Sequence, residues 1–231
     1  MRTIGLIGGM SFESTLEYYR LLNELVRDRL GGFHSARCLI ASVDFAEIEL
    51  MMREDRWDDA AAALATDARR LEDGGAELLL LCTNTLHKVA PAIEAAVSIP
   101  FLHIADAAAR SLTKHGVGTV GLLATAYVME QDFYRARLEK HGLQVVVPEA
   151  EARAEVHRII FEELCMSRVE PSSRDFYVRT IESLAERGAE AVLFGCTEIG
   201  LLVRREDSPI PPFDTTRIHA EAAIDFALEH D

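Results

Sequence analysis

The chain repeats itself at about half its length, and no other feature narrows its fold as much. Thr3-Ile-Gly-Leu-Ile-Gly8 is matched by Thr119-Val-Gly-Leu-Leu-Ala124, an offset of 116. Gly75-Ala-Glu-Leu-Leu-Leu-Leu-Cys82-Thr83 is matched by Gly188-Ala-Glu-Ala-Val-Leu-Phe-Gly-Cys196-Thr197, with the cysteines 114 apart. Pro100-Phe101, with Asp106 nearby, answers to Pro212-Phe213-Asp214 at an offset of 112. Three landmarks in one order at nearly constant spacing imply two similar halves.

The landmarks sit on short apolar runs that read as strands: Thr3–Ile7, Ala36–Val43, Glu77–Leu81, Phe101–Ile104, Thr119–Leu123, Gln144–Val147, Ala191–Phe194 and Pro212–Phe213. Most are almost wholly apolar, as expected of parallel strands covered on both faces. Amphipathic stretches such as Ser14–Arg29, Trp57–Asp73, Gln131–Lys140, Ala154–Met166 and Arg174–Arg187 alternate with them, and Gly74, Gly142 and Gly188 read as helix stops. The expected fold is α/β, with two pseudo-symmetric lobes of parallel sheet flanked by helices and an active site in the cleft between them. The helix-like Thr216–Glu229 comes after the last landmark and is expected to return to the first lobe. The first lobe then comprises residues 1–105 plus 211–231, and the second residues 106–210.

Composition excludes several classes of function. A net charge of −14 argues against a nucleic-acid partner, which needs clustered Lys and Arg. No apolar stretch approaches the roughly 18 residues of a membrane span, so a cytoplasmic protein without a membrane partner is expected. The four cysteines, Cys38, Cys82, Cys165 and Cys196, are widely spaced and form no zinc-type cluster, so no metal is expected. Gly5-Leu-Ile-Gly8 has the wrong spacing for a dinucleotide loop. Cys38 and Cys165 read as small buried hydrophobes.

Cys82 and Cys196 are different, because each directly follows a strand run, where ligands of parallel sheets bind. Two acid/base groups related by a repeat suit racemisation. One thiolate removes a proton from one face of a carbon while the opposite thiol supplies one to the other face. Thr83-Asn84-Thr85 and Thr197-Glu198 read as helix starts, able to lower the thiol pKa and to hold a carboxylate. Gly8-Gly9-Met10-Ser11 and Thr125 occupy equivalent loops after the first strand of each half. Glu198 could tune the thiol or cap a helix. His87 reads as a satisfied or surface residue, and His103 and His219 as structural.

These stretches resemble the aspartate/glutamate racemase superfamily, in particular its broad-specificity amino-acid racemase branch. The resemblance rests on Thr3-Ile-Gly-Leu-Ile-Gly-Gly-Met-Ser11, Cys82-Thr-Asn-Thr-Leu-His-Lys88, Phe101-Leu-His-Ile-Ala-Asp106, Met129-Glu-Gln-Asp-Phe-Tyr134, Ile160-Phe-Glu-Glu-Leu-Cys165 and Phe194-Gly-Cys-Thr-Glu-Ile-Gly200. It implies racemisation of an amino acid without pyridoxal phosphate or other cofactor, by Cys82 and Cys196, in a homodimer. It also implies substrate contacts from Met10, Ser11, Asn84, Thr85, Thr125, Thr197 and Glu198.

Strict aspartate racemases of the family present a basic residue after the second strand and a lysine in a second-lobe helix. Here those places read Ser42-Val-Asp44-Phe-Ala-Glu47 and Glu162-Glu163-Leu-Cys165, so the expected substrate is aspartate or glutamate only if Arg20, Arg53 or Arg56 supplies the missing charge, and otherwise a broader set that includes neutral amino acids. The alternatives are a hydantoin racemase or maleate-isomerase type of enzyme, or a non-catalytic small-molecule-binding protein.

Overall fold

The structure, a computed structural model, describes residues 1–229. Contacts divide the chain into two units: Met1–Ile104 with the segment from His219 onward, and Ala105–Ile218. The sequence places the second crossing near residue 210. It falls after Ile218 instead, because Pro212–Asp214 is a strand of the second unit's sheet.

The first unit runs β1 (Ile4–Gly8), α1 (Phe12–Leu30), β2 (Cys38–Ser42), α2 (Phe45–Arg53), α3 (Trp57–Asp73), β3 (Leu78–Leu81) and α4 (Ala90–Ala96). Its sheet has the order β2-β1-β3, all parallel. The expected strand over Phe101–Ile104 shrinks to a single bridge between Phe101 and Leu79, because helix α5 (Ile104–Lys114) already starts at Ile104. The second unit continues with β4 (Thr119–Ala124), α6 (Ala126–Glu130), α7 (Asp132–Glu139), β5 (Gln144–Val146), α8 (Ala150–Glu162), α9 (Pro171–Glu186), β6 (Ala191–Gly195), α10 (Ile199–Leu202) and β7 (Pro212–Asp214). Its parallel sheet has the order β5-β4-β6-β7. Helix α11 (Thr215–Leu228) then carries the chain back into the first unit.

Residue spacing explains how the first sheet is covered. Ile4, Leu6, Leu78, Leu80 and Cys82 form one apolar cluster with Tyr18, Leu21, Leu22 and Val26 of α1 and with Ala220, Ala223, Ile224 and Ala227 of α11. The helical residues recur at the three- and four-residue spacing of one face. Removing a side chain such as Leu22 from this core costs about 2–5 kcal/mol.

The opposite face of each sheet carries the repeat into three dimensions. A Cβ on Gly5 would stand 2.6 Å from Leu79 Cδ2, 3.0 Å from Ala76 Cβ and 3.3 Å from Leu71 Cβ. A Cβ on Gly121 would meet Leu184 Cδ1 at 3.0 Å and Ala189 Cβ at 3.5 Å. Glycine thus lets α3 and α9 approach the central strands β1 and β4. The acidic residue of each Gly-Ala-Glu triplet grips the start of the same strand. Glu77 Oε2 accepts the Thr3 N–H at 2.8 Å. Glu190 Oε2 accepts the Gly118 and Thr119 N–H groups at 2.6 and 3.0 Å. Gly142 and Gly188, with φ of 84° and 93°, follow α7 and α9 as expected. After α3 the positive φ falls on Gly75 rather than Gly74.

Candidate functional site

In the first unit, three segments meet at the carboxyl end of β1 and β3. The Cys82 N–H donates to the Ile7 carbonyl at 2.9 Å, continuing the β1–β3 ladder one step past the strand. Ser14 Oγ donates to the Cys82 carbonyl at 2.9 Å and so ties the residue to α1. The thiol is buried. Its pKa is pushed well up, chiefly by loss of water and less by the neighbouring Cys38.

The loop after β1 is held by side chains reaching back from α1. Gly9 has φ 93°, and a Cβ there would lie 2.4 Å from the Val43 carbonyl oxygen, so only glycine fits. Its N–H donates to Thr15 Oγ1 at 2.8 Å, and that hydroxyl donates onward to the Ser11 carbonyl at 3.2 Å. Ser11 is the N-cap of α1, accepting the Ser14 N–H at 3.4 Å. Met10 and Ser11 are both buried here, and the peptide bond between them is cis. Asn84 and Thr85 lie buried on the turn after Cys82, where a single 3-10 helix spans Thr85–Val89. His87, on this turn, is buried and satisfied rather than on the surface. His219 is likewise engaged, by Tyr18 Oη at 2.7 Å and the Leu102 carbonyl at 2.8 Å.

In the second unit, Cys196 directly follows β6, as Cys82 follows β3. Its Sγ donates to Glu198 Oε2 at 3.0 Å, and Glu198 is only 4% exposed. Thr197 Oγ1 lies 3.1 Å from Thr216 Oγ1, and Thr215 Oγ1 donates to the Phe194 carbonyl at 2.8 Å. The start of α11 therefore braces the β6 end. Thr125 is the buried N-cap residue of α6, and the next N–H, that of Ala126, donates to His157 Nδ1 at 3.2 Å. Burial lowers the His157 pKa against the smaller opposing influence of Glu130, in keeping with a neutral acceptor. No spacing rule links His157 to a loop 31 residues earlier, so the sequence alone does not single it out.

Two expectations are corrected. Neither Asn84 nor Glu198 makes a side-chain cap. The segments they open are a five-residue 3-10 turn and a four-residue α-turn, and the Glu198 carboxylate engages the thiol instead. The thiols also move opposite to the expected direction. The Cys196 pKa is raised, first by burial, then by the charge of Glu198 and that of Cys165. A carboxylate at hydrogen-bond distance favours the protonated thiol and outweighs a short helical turn. Among the described residues, no group of three His, Cys, Asp or Glu could hold a metal ion, and no helix is long and apolar enough to cross a membrane.

The sequence matches the family model for Asp/Glu/hydantoin racemases over residues 7–223. The chain belongs to this family. A candidate Asp/Glu racemase from Yersinia pestis is 52% identical, with a TM-score of 0.93 over 99% of this chain and 100% of that one. An aspartate racemase homologue from Pyrococcus horikoshii OT3 is 36% identical, with a TM-score of 0.86 over 98% and 99%. The broad-specificity amino-acid racemase RacX of Bacillus subtilis (strain 168) is 22% identical over 176 residues, 75% of this chain and 74% of its own. Membership brings the reaction class with it, an isomerase of the racemase type.

Proposed function

We propose that this family member racemises amino acids without a cofactor, with Cys82 and Cys196 exchanging the Cα proton. The observation that carries the reading is their equivalence: each is the first residue past a strand hydrogen-bonded to the central strand of its sheet, β3 on β1 and β6 on β4. In this reaction a thiolate takes the Cα proton and the electron pair passes into the substrate carboxylate as an enolate. The other thiol then protonates Cα from the opposite face. The atoms balance, and the two sulfurs exchange protonation states with each turnover.

The environments suit such roles. Burial favours the protonated form of both sulfurs, and a substrate ammonium beside them favours the thiolate. Glu198, accepting the Cys196 proton, orients that thiol. Met10, Ser11, Asn84, Thr85, Thr125, Thr197 and Glu198 are assigned to the substrate. The acidic Asp44 and Glu47 and the thiol of Cys165 offer an acidic substrate side chain no cation, which favours a broad amino-acid set like that in the name of the Bacillus relative. The reading includes a homodimer in the cytoplasm acting on a small-molecule substrate.

Exchange of the α-proton in D₂O, followed over a panel of L- and D-amino acids without added cofactor, tests the proposal. Racemisation lost in both Cys82→Ser and Cys196→Ser supports it. Ligand binding without exchange in the wild type refutes it and favours a binding module.

A further inference from the structure

We propose that His87 is a positioning residue for Cys82, a role that rests on the racemase reading and adds a residue to it. His87 lies five positions after the cysteine and is 2% exposed. Its ring joins two stretches of chain. The Ile104 N–H donates to Nε2 at 3.2 Å, and Nδ1 lies 2.7 Å from the Thr83 carbonyl oxygen. The Ile104 N–H can only donate, so Nε2 carries the lone pair. The Thr83 carbonyl can only accept, so the proton of a neutral imidazole sits on Nδ1. Both contacts therefore fix one form of the ring, neutral and Nδ1-protonated.

Each contact bears on the site. Thr83 is the residue next to Cys82, and its carbonyl fixes the turn on which the sulfur, Asn84 and Thr85 are carried. Ile104 opens α5, and its N–H is a leading amide that no carbonyl of its own helix can reach. The segment before it is already fastened to β3: the Leu79 N–H donates to the Pro100 carbonyl at 2.9 Å, and the Leu102 N–H to the Leu79 carbonyl at 3.0 Å. His87 is thus a strut between the cysteine turn and a stretch anchored on the cysteine's own strand. Its ring is walled by His103 at 4.4 Å, Phe101 at 5.6 Å and His219 at 6.1 Å between centroids, which leaves it little freedom to swing. An imidazole suits the task because its donor and acceptor point away from each other across the ring, whereas an amide carries both on one carbon.

Kinetic isotope effects separate positioning from general support of the fold. A displaced Cys82 slows the step in which that sulfur breaks the Cα–H bond. In His87→Ala the primary deuterium effect on kcat/KM then rises for one enantiomer, the one Cys196→Ser still deprotonates, and not for the other. A misplacement of about 1 Å corresponds to a loss on the order of 10²-fold in kcat/KM. His87→Asn retains a donor near Nδ1 and restores part of the activity. His87→Gln retains an acceptor near Nε2 and keeps the Ile104 amide protected from hydrogen exchange, protection that His87→Ala loses. An unchanged Ile104 amide in His87→Ala overturns the strut. An active wild type whose His87→Ala variant keeps equal isotope effects overturns the positioning role alone. A wild type inert toward every amino acid brings down the racemase reading and this role together.

Discussion

Replacing Thr15 by valine is the sharpest test of how α1 holds the candidate substrate loop. Valine keeps the shape and the branched Cβ but removes the hydroxyl that accepts the Gly9 N–H at 2.8 Å and donates to the Ser11 carbonyl at 3.2 Å. The two losses differ in cost. The Ser11 carbonyl keeps the Thr15 N–H, at 3.4 Å, so losing its second donor costs little. Gly9 loses its buried acceptor, a penalty of about 1–3 kcal/mol. For a chain of this size that corresponds to a fall in Tm of roughly 2–12 °C. Thr15→Ser is the matched control. It keeps the hydroxyl and deletes the methyl, at a packing cost of about 0.5–1.5 kcal/mol. Thermal unfolding of the three proteins, followed by circular dichroism, should rank wild type above serine and serine above valine. A valine variant as stable as wild type, with serine the weaker of the pair, would mean that the methyl and not the hydroxyl holds the loop.

Gly5→Ala should destabilise by about 1–3 kcal/mol, because the added methyl meets the backbone-fixed Ala76 as well as Leu79, and the lone Trp57 in that unit reports the change by fluorescence. Gly121→Ala, whose methyl has more room, should cost less, and the reverse order of urea midpoints would contradict the packing argument. Alkali should weaken the fold. Burial raises the Cys38 thiol from 9.0 to about 11, so its share of stability is intact below pH 9.0 and drains away as pH climbs to about 11. Cys38→Ala should flatten that fall in urea midpoints measured across the window. In Glu198→Gln the charge that helps keep Cys196 protonated is gone, so the rise of kcat/KM with pH should shift to lower pH. A profile that stays in place argues against the carboxylate–thiol contact.

The frame was legible in the sequence because its constraints are local and periodic. Almost wholly apolar runs mark β1, β3, β4 and β6, and the Gly-Ala-Glu triplets lead to the strands that end at Cys82 and Cys196. What escaped depends on contacts distant in sequence. Phe101–Ile104 is apolar enough for a strand, yet it pairs at one residue before α5 begins. The direction of the thiol shifts is not legible in the sequence, where helix starts are visible and depth of burial is not. Sequence leaves Glu198 open between capping and tuning, because only the fold brings its carboxylate against Cys196 Sγ. His157 meets Ala126 across 31 residues, and no pattern in either segment announces that hydrogen bond.

The paired grips of Glu77 and Glu190 also explain why the two halves can still be recognised as kin. Each carboxylate fastens the entry of a central strand, and each neighbouring alanine is sized for the glycine it faces. Such positions leave little latitude for substitution, so they keep the same residues in both halves. The exits of those strands are built differently in each half: Gly8-Gly9-Met10 on one side, where the Val43 backbone admits only glycine at position 9, answers to Ala124-Thr125-Ala126 on the other. The frame is set at the entries of β1 and β4, while the chemistry proposed for Cys82 and Cys196 lies at the far ends of their neighbours β3 and β6. Substitutions at the entries should therefore disturb the architecture, and substitutions at the far ends the ligand preference proposed above.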